Sequence, residues 1–289
     1  MAAHDHACPP EPSMGLRIAV LADNAALPGF QAEHGLSLAL VLPDGGLWLW
    51  DTGQSGLFLA HAKRLGLDPA LARGVALSHG HYDHTGGLEH LLRLPGFHGE
   101  VVAHPAFAIP RYRRAASRVA CAIGCPCPPA LLSQRRLRVV HSDARLDEQG
   151  LFMLGAIPRL PGNPQSIQGM FLDPQGEWSD IIPDDACLVF KRRGALAVIL
   201  GCCHSGLANT LEAVRQNFGN GEIRLLAGGL HLAGHNGAAV REAIRILREH
   251  AVKKVFPGHC TGTGAIREMR EAMPDRVTPL AAGMIIDTF

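Results

Sequence analysis

The sequence predicts an α/β fold, and three observations carry that reading. Apolar runs of strand length open the chain at Leu16 to Leu21, Leu36 to Leu42 and Leu47 to Trp50, the last two joined by the turn Pro43-Asp44-Gly45-Gly46. In the C-terminal half, helical periodicity over Leu207 to Phe218 and Gly237 to His250 alternates with the strand-like runs Glu222 to Ala227 and Lys253 to Phe256. Such alternation lays helices on the face of a sheet. Third, residues with chemistry to offer follow directly on these runs, and loops at strand ends gather on one rim of a layered α/β sheet.

In chain order, residues 1–14 lack a basic start and an apolar stretch, so they read as a disordered leader rather than a signal peptide. The loop between the first two strands carries Asp23, Asn24, Glu33 and His34. Asp51 ends the third strand, where an Asp before Thr-Gly either starts a turn or orients a neighbouring ligand loop. Ser55 to Leu65 has helical spacing and is stopped by Gly66 and Asp68-Pro69. A strand at Gly74 to Ser78 leads into Ser78-His79-Gly80-His81-Tyr82-Asp83-His84-Thr85-Gly86-Gly87, and Leu88 begins a helix.

From Val101 to Ser142 there is no Asp or Glu, against Arg111, Arg113, Arg114, Arg118, Arg135, Arg136 and Arg138. Arginine offers a planar fork matched to phosphate or carboxylate. The same excess would equally solvate an exposed helix begun by Pro105 and interrupted by Pro110, so an irregular insertion at about 105–140, acting as a lid, is expected. Cys121, Cys125 and Cys127 lie among prolines there at a spacing that fits no common zinc motif. Residues 158–183 read as a long loop, and long loops in compact domains are often functional. It ends in Pro183-Asp184-Asp185, followed by strands at Ala186 to Phe190 and Ala195 to Leu200, the second running into Cys202-Cys203-His204. Gly283 to Ile286 reads as a closing strand.

At 289 residues and 47% hydrophobic, residues 15–289 are expected to form a single domain near the upper size for one core. A net charge of +1 gives no global argument for nucleic acid or a membrane surface. No apolar run approaches the ~20 residues of a membrane span. A cytoplasmic location is the default, the eight cysteines read mostly as thiols, and oligomeric state is left open.

The stretch from His79 to His84 places four potential metal ligands within six residues. Residues two apart share a side of an extended segment, so His79 and His81 can close on one ion while Asp83 and His84 face a second. Imidazole and carboxylate together suit zinc, with iron or manganese also accommodated. A closed structural zinc site would instead draw on paired cysteines.

The motif His79-x-His81-x-Asp83-His84, preceded by Asp51-Thr52-Gly53 and followed by Gly258-His259, resembles the metallo-β-lactamase superfamily. Glu33-His34-Gly35-Leu36-Ser37, Gly201-Cys202-Cys203-His204-Ser205-Gly206, Gly229-Leu230-His231-Leu232 and Gly258-His259-Cys260-Thr261-Gly262 further resemble its branch of archaeal dihydropterin ribofuranosylaminobenzene phosphate synthases. The resemblance implies a four-layer αββα sandwich with the site at one edge. It also implies a dinuclear site, one ion on His79, His81 and His204 and the other on Asp83, His84 and His259. Most of the superfamily has a histidine before the strand at 186–190 and a bridging aspartate after that at 195–200. Here those places hold Asp184-Asp185 and Cys202-Cys203-His204, which leaves Asp185 and Cys202 as competing ligands. By the same resemblance Asp51 orients the ligand loop and His34 is a candidate substrate contact; His231, at a strand end, and Arg111, Arg113 and Arg114, from the arginine-rich insertion, are further candidates.

The function expected is hydrolysis of a small anionic, phosphorylated substrate by a metal-bound hydroxide, with Asp83 in the reacting centre and two divalent ions, zinc first and Mn2+, Mg2+ or Fe2+ as alternatives. The rival reading is a phosphoribosyl-transferring synthase. More distant ones are a mononuclear-iron thiol dioxygenase and a binding module that merely keeps the fold.

Overall fold

The computed structural model describes residues 15–115, 118–155, 157–163, 165 and 169–288; the expected leader lies outside them. Strands in chain order are β1 (Arg17–Ala22), β2 (Ser37–Val41), β3 (Leu47–Trp50), β4 (Gly74–Ala76), β5 (Glu100–Ala103), β6 (Tyr112–Ala115), β7 (Arg118–Ala122), β8 (Leu137–Val139), β9 (Asp143–Asp147), β10 (Leu151–Leu154), β11 (Met170–Phe171), β12 (Cys187–Arg192), β13 (Ala195–Leu200), β14 (Glu222–Gly228), β15 (Lys254–Pro257) and β16 (Ile285–Asp287). The α-helices are α1 (Leu57–Arg64), α2 (Tyr82–Thr85), α3 (Leu88–Leu92), α4 (Pro129–Leu132), α5 (Leu207–Phe218), α6 (Gly237–Glu249) and α7 (Thr263–Ala272). No described helix is long and apolar enough to cross a membrane.

Among the described residues, one sheet has seven strands in the order β16-β1-β2-β3-β4-β5-β8 and another has six in the order β15-β14-β13-β12-β10-β9. The inner strands β1, β2, β3, β12 and β13 are largely apolar on both faces because both faces are covered. Ile18, Val20, Leu38, Leu40, Trp48 and Trp50 point to a central core shared with Leu188, Phe190, Ala197, Ile199, Leu225 and Ala227 of the other sheet. The alternate residues Ala19, Leu21, Ala39, Leu49, Val75 and Val101 meet Phe58 of α1 and Leu88, Leu91 and Leu92 of α3. On the far side, Val189, Val198 and Leu226 meet Leu211 and Val214 of α5, Ile244 and Leu247 of α6 and Met269 of α7. Side chains alternate across a strand with period two, so each strand serves two cores and the molecule is a four-layer αββα sandwich. Trp50 Nε1 donates to Leu200 O at 3.0 Å and Trp48 Nε1 to Asp147 Oδ2 at 3.0 Å, tying the sheets together where indole would otherwise bury an unpaired N–H.

Strands β3, β4, β5 and β8 run parallel, as do β13, β14 and β15. Parallel neighbours bring their C-terminal ends to one rim, and that rim receives the loops after Trp50, Ala76, Leu200, Gly228 and Pro257.

The insertion differs from expectation. After a single 3-10 turn at Pro105–Ala108, the chain forms a β6-β7 hairpin joined by β11, not an exposed helix. Ile123 N donates to Arg111 O at 2.7 Å and Tyr82 N to Ile123 O at 2.9 Å, so the foot of the hairpin is stitched to the loop bearing His79 to His84. The strands β9 and β10 and helix α7 were not anticipated. The apolar stripe of α7 is only Ala265 and Met269, too narrow to stand out as periodicity.

Phe190, fully buried between the sheets, sets a test of this packing. Phe190→Ala is expected to cost about 3–5 kcal/mol, read as a lower urea midpoint with unchanged slope.

Candidate metal centre

Each chemical group at the rim is held by a strand end. The loop after β4 carries His79, His81, Asp83 and His84; β13 leads to Cys202 and His204, β14 to His231, and β15 to His259. His79, His81, Asp83, His84, Cys202, His204 and His259 are all buried. The donor atoms of His79, His81 and His204 lie within 4.8 Å of one another, as do those of His34, Asp83 and His259. His79 Nε2 faces His81 Nδ1 at 2.8 Å. His84 Nε2 lies 3.2 Å from His259 Nε2, which is 3.3 Å from Asp83 Oδ2.

The tautomers follow from the surroundings. Asp51 Oδ1 accepts from Ser78 N at 2.7 Å, and its Oδ2 accepts from Ser78 Oγ at 2.7 Å and His84 Nδ1 at 2.7 Å. Having given its proton to Asp51, the Ser78 hydroxyl accepts from His79 Nδ1 at 2.9 Å. His259 Nδ1 donates to Asn24 Oδ1 at 2.9 Å. In His79, His84 and His259 alike the Nδ1 proton is directed outward, which aims Nε2 at the common space.

Electrostatics divide the cluster. Burial, followed by repulsion from neighbouring imidazoles, holds His79 and His81 well below the ordinary histidine range. Burial likewise lowers His259, and it brings His231 to about 3 with help from His204, His235 and His259. These rings are neutral at pH 7. Burial pulls His84 the same way, but Asp51 overrides it by charge and hydrogen bond and pushes His84 up to about 9. Burial alone would raise the Asp83 carboxyl, yet the His259, His34 and His84 imidazoles beside it hold it well below the usual carboxylate range.

Three further carboxylates position backbone. Asp184, fully buried, accepts from Gly80 N at 2.8 Å and from the Arg111 fork at 2.9 and 2.5 Å, while Arg111 Nε lies 2.8 Å from Asp180 Oδ2. A Cβ at Gly80 would run into Phe107 O, so only glycine fits this crossing. Asp185 Oδ2 accepts from Ser205 N at 2.7 Å and braces the turn that presents His204. Asp23, raised to about 7 chiefly by burial, accepts from Ala25 N at 3.0 Å and His259 N at 2.8 Å.

Several expectations change here. Arg111 is not a substrate contact: it is 1% exposed and its guanidinium is committed to Asp180 and Asp184. Arg114 is exposed and stacks on Phe171 with its guanidinium carbon 4.8 Å from the ring centre. Arg113 does line the cleft over the cluster, as do His34, His231, Tyr82, Ile123 and Met170, around a volume of about 580 Å³. The Arg118 side chain lies outside the described residues. Asp185 joins no group of converging donors among the described residues, whereas Cys202 joins two. The described cysteines are free thiols, and Cys121, Cys125 and Cys127 join no such group. Sequence reasoning gave no role to Asp23, Ser78 or Asp180; a buried carboxylate leaves no local pattern when its partners are distant in the chain.

A family model described as the metallo-beta-lactamase superfamily matches residues 34–168. An uncharacterized protein of Methanocaldococcus jannaschii is 28% identical over 88% of this chain and 94% of its own length. The 7,8-dihydropterin-6-methyl-4-(beta-D-ribofuranosyl)-aminobenzene-5'-phosphate synthase of the same organism is 25% identical over 89% of this chain and 90% of its own. The crystal structure of Tm1679, a metal-dependent hydrolase of the beta-lactamase superfamily, superposes with a TM-score of 0.81 at 29% identity, covering 94% of this chain and 99% of that one.

His84 sets a pH test. Its raised value means the proton stabilises the metal-free fold fully below about 6.5, and that contribution is lost as pH rises through about 9. A metal ion on Nε2 must displace the proton. Metal affinity measured against a competing chelator is therefore expected to strengthen with rising pH below 9 by about tenfold per unit more in the wild type than in Asp51→Asn.

Proposed function

We propose that this chain, which has the metallo-β-lactamase fold, is a dinuclear metallohydrolase of a small anionic substrate, with a phosphoester the class its cleft favours. The observation that carries the reading is the meeting of two donor sets at one rim: His79, His81 and His204 on one side, Asp83, His84 and His259 on the other. The donors suit a divalent cation. Neutral His79 and His81 nitrogens stand 2.8 Å apart, His84 Nε2 lies 3.2 Å from His259 Nε2, and His81 Nε2 is buried with no hydrogen-bond partner among the described residues. Nitrogen-rich sets with one carboxylate suit zinc ahead of manganese, iron or magnesium. Two such ions would supply Lewis acidity and an acidified water.

The chain's own residues supply binding, orientation and proton handling. Asp51 fixes His84 directly and His79 through Ser78 before any substrate arrives. His34 Nε2 sits 3.1 Å from Asp83 Oδ2 with its ring half-exposed at the mouth, where it can relay a proton between the reacting centre and solvent. Neutral His231 lies 4.6 Å, ring to ring, from His204, and on the cleft wall it offers an N–H to a substrate oxygen. Arg113, on β6 with no ion-pair partner among the described residues, gives the cleft a guanidinium fork for an anionic group.

A second reading is a synthase joining a phosphoribosyl donor to an aromatic acceptor. The 25% identity to the M. jannaschii synthase along most of both chains favours it. Release of pyrophosphate from a phosphoribosyl donor mixed with 4-aminobenzoate would select it; inorganic phosphate released from simple phosphoesters, with no acceptor present, selects the hydrolase.

Elemental analysis of protein purified without added metal tests the centre. About two divalent ions per wild-type chain are expected, falling to about one in an Asp83→Ala, His259→Ala double variant. About one iron, unchanged in the variant, would remove the dinuclear mechanism. Arg113→Ala is expected to raise KM for a phosphoester about fivefold with kcat little changed, as befits one exposed charge-assisted contact.

A further inference from the structure

One sulfur reaches both donor sets. Cys202 Sγ is 3.1 Å from His84 Nε2. It falls within 4.8 Å of the donor atoms of His79 and His84, and within the same distance of those of His259 and Cys260. His79 belongs to the first set of three and His259 to the second. His84 also lies near both, but its Nδ1 is bound to Asp51, which leaves a single nitrogen lone pair for a single ion.

The other carboxylates near the rim do not reach both sets. Both oxygens of Asp51 are taken by Ser78 and His84 and Asp184 is bound to Arg111 and Gly80, while Asp185 turns one oxygen to Ser205 and, with the other unpartnered, joins no group of converging donors among the described residues. Asp83 Oδ2 stands between His34 and His259, at the second set alone. The adjacent thiols differ. At Cys203 the backbone turns to φ 59°, sending its sulfur away into the helix-side core, 3.4 Å from Thr210 Oγ1. Cys260 is half-buried and joins the second side only. The seat for Cys202 is tightly built: a Cβ at Gly201 would collide with Ser78, and one at Gly229 with Cys260 Sγ.

We infer that the Cys202 thiolate is a ligand shared by the two ions, an inference that rests on the dinuclear reading above. A thiolate sulfur keeps enough lone pairs to bind two cations, which one imidazole nitrogen does not. On ligation the S–H bond breaks, sulfur–metal bonds form and the proton passes to solvent, with no change of oxidation state. Sulfur at the shared position biases the site toward zinc, cobalt or iron and against magnesium.

Cobalt(II) reports this directly. Metal-free protein is titrated with Co2+ and followed by near-ultraviolet absorption, with bound cobalt counted after gel filtration. The wild type is expected to bind two cobalt ions and show an intense sulfur-to-cobalt charge-transfer band, lost in Cys202→Ala and kept in Cys260→Ala. Circular dichroism of Cys202→Ala, and the more conservative Cys202→Ser, separates loss of the ligand from loss of the fold. Two bound cobalt ions with no such band, or a band that survives in folded Cys202→Ala, would overturn the shared thiolate and leave the dinuclear reading intact. Fewer than two cobalt ions on the wild type would overturn that reading and the inference with it.

Discussion

The Asp51 carboxylate is the constraint on which the centre depends. It is fully buried, at the end of β3, with both oxygens saturated by Ser78 and His84. Its own backbone is pinned by Ser37 Oγ donating to its carbonyl at 2.9 Å and by its N–H donating to Ala76 O at 3.0 Å. One charge thereby sets the ring orientation of two histidines on the neighbouring strand's loop. An isolated buried carboxylate would cost several kcal/mol, so this one persists only because it accepts three hydrogen bonds. Remove it and His79 and His84 lose the partners that choose between their two nitrogens.

Around that hub the backbone is held in a conformation it would not choose. Asp51, Cys203, His231 and His259 all have positive φ, at 57°, 59°, 49° and 48°. Each such residue costs about 1 kcal/mol, and all four stand where a strand runs into the rim. The doubly covered sheets supply the compensation, since strands buried on both faces cannot shift without opening two cores at once. Local anchors then fix each loop: Asp184 holds Gly80, Asp185 holds Ser205, and Asp23 holds His259. Four aspartates, counting Asp51, thus serve the backbone and ring geometry of the loops while Asp83 faces the cluster.

How much of this the sequence shows depends on how local the cause is. Helix α5 coincides with its expected span because amphipathic spacing is written in adjacent residues. The run from His79 to His84 was legible for the same reason, four donors lying within one loop. The β6-β7 hairpin was not, since its arginines break the alternation that would mark a strand and its register is set by β11, more than fifty residues on. Arg111 was misread because sequence counts charges but does not show their depth; its partners Asp180 and Asp184 lie about seventy residues away. Asp185 and Asp184 stood side by side in the sequence, and only the fold separates a brace for the His204 turn from a brace for Gly80.

The proton inventory of the centre links these threads to chemistry. At pH 7 burial keeps His79, His81, His231 and His259 neutral, while Asp83 is anionic and Asp51 holds the proton on His84. A cluster so arranged has more inward lone pairs than protons to share among them, and the lone imidazolium stands where a metal would otherwise be held. Cation binding exchanges that proton for an ion, relieves nitrogen–nitrogen repulsion and stabilises the native state by mass action. The strained rim and its aspartate braces keep the donors together against that repulsion, so the geometry a metal needs is already in place in the fold.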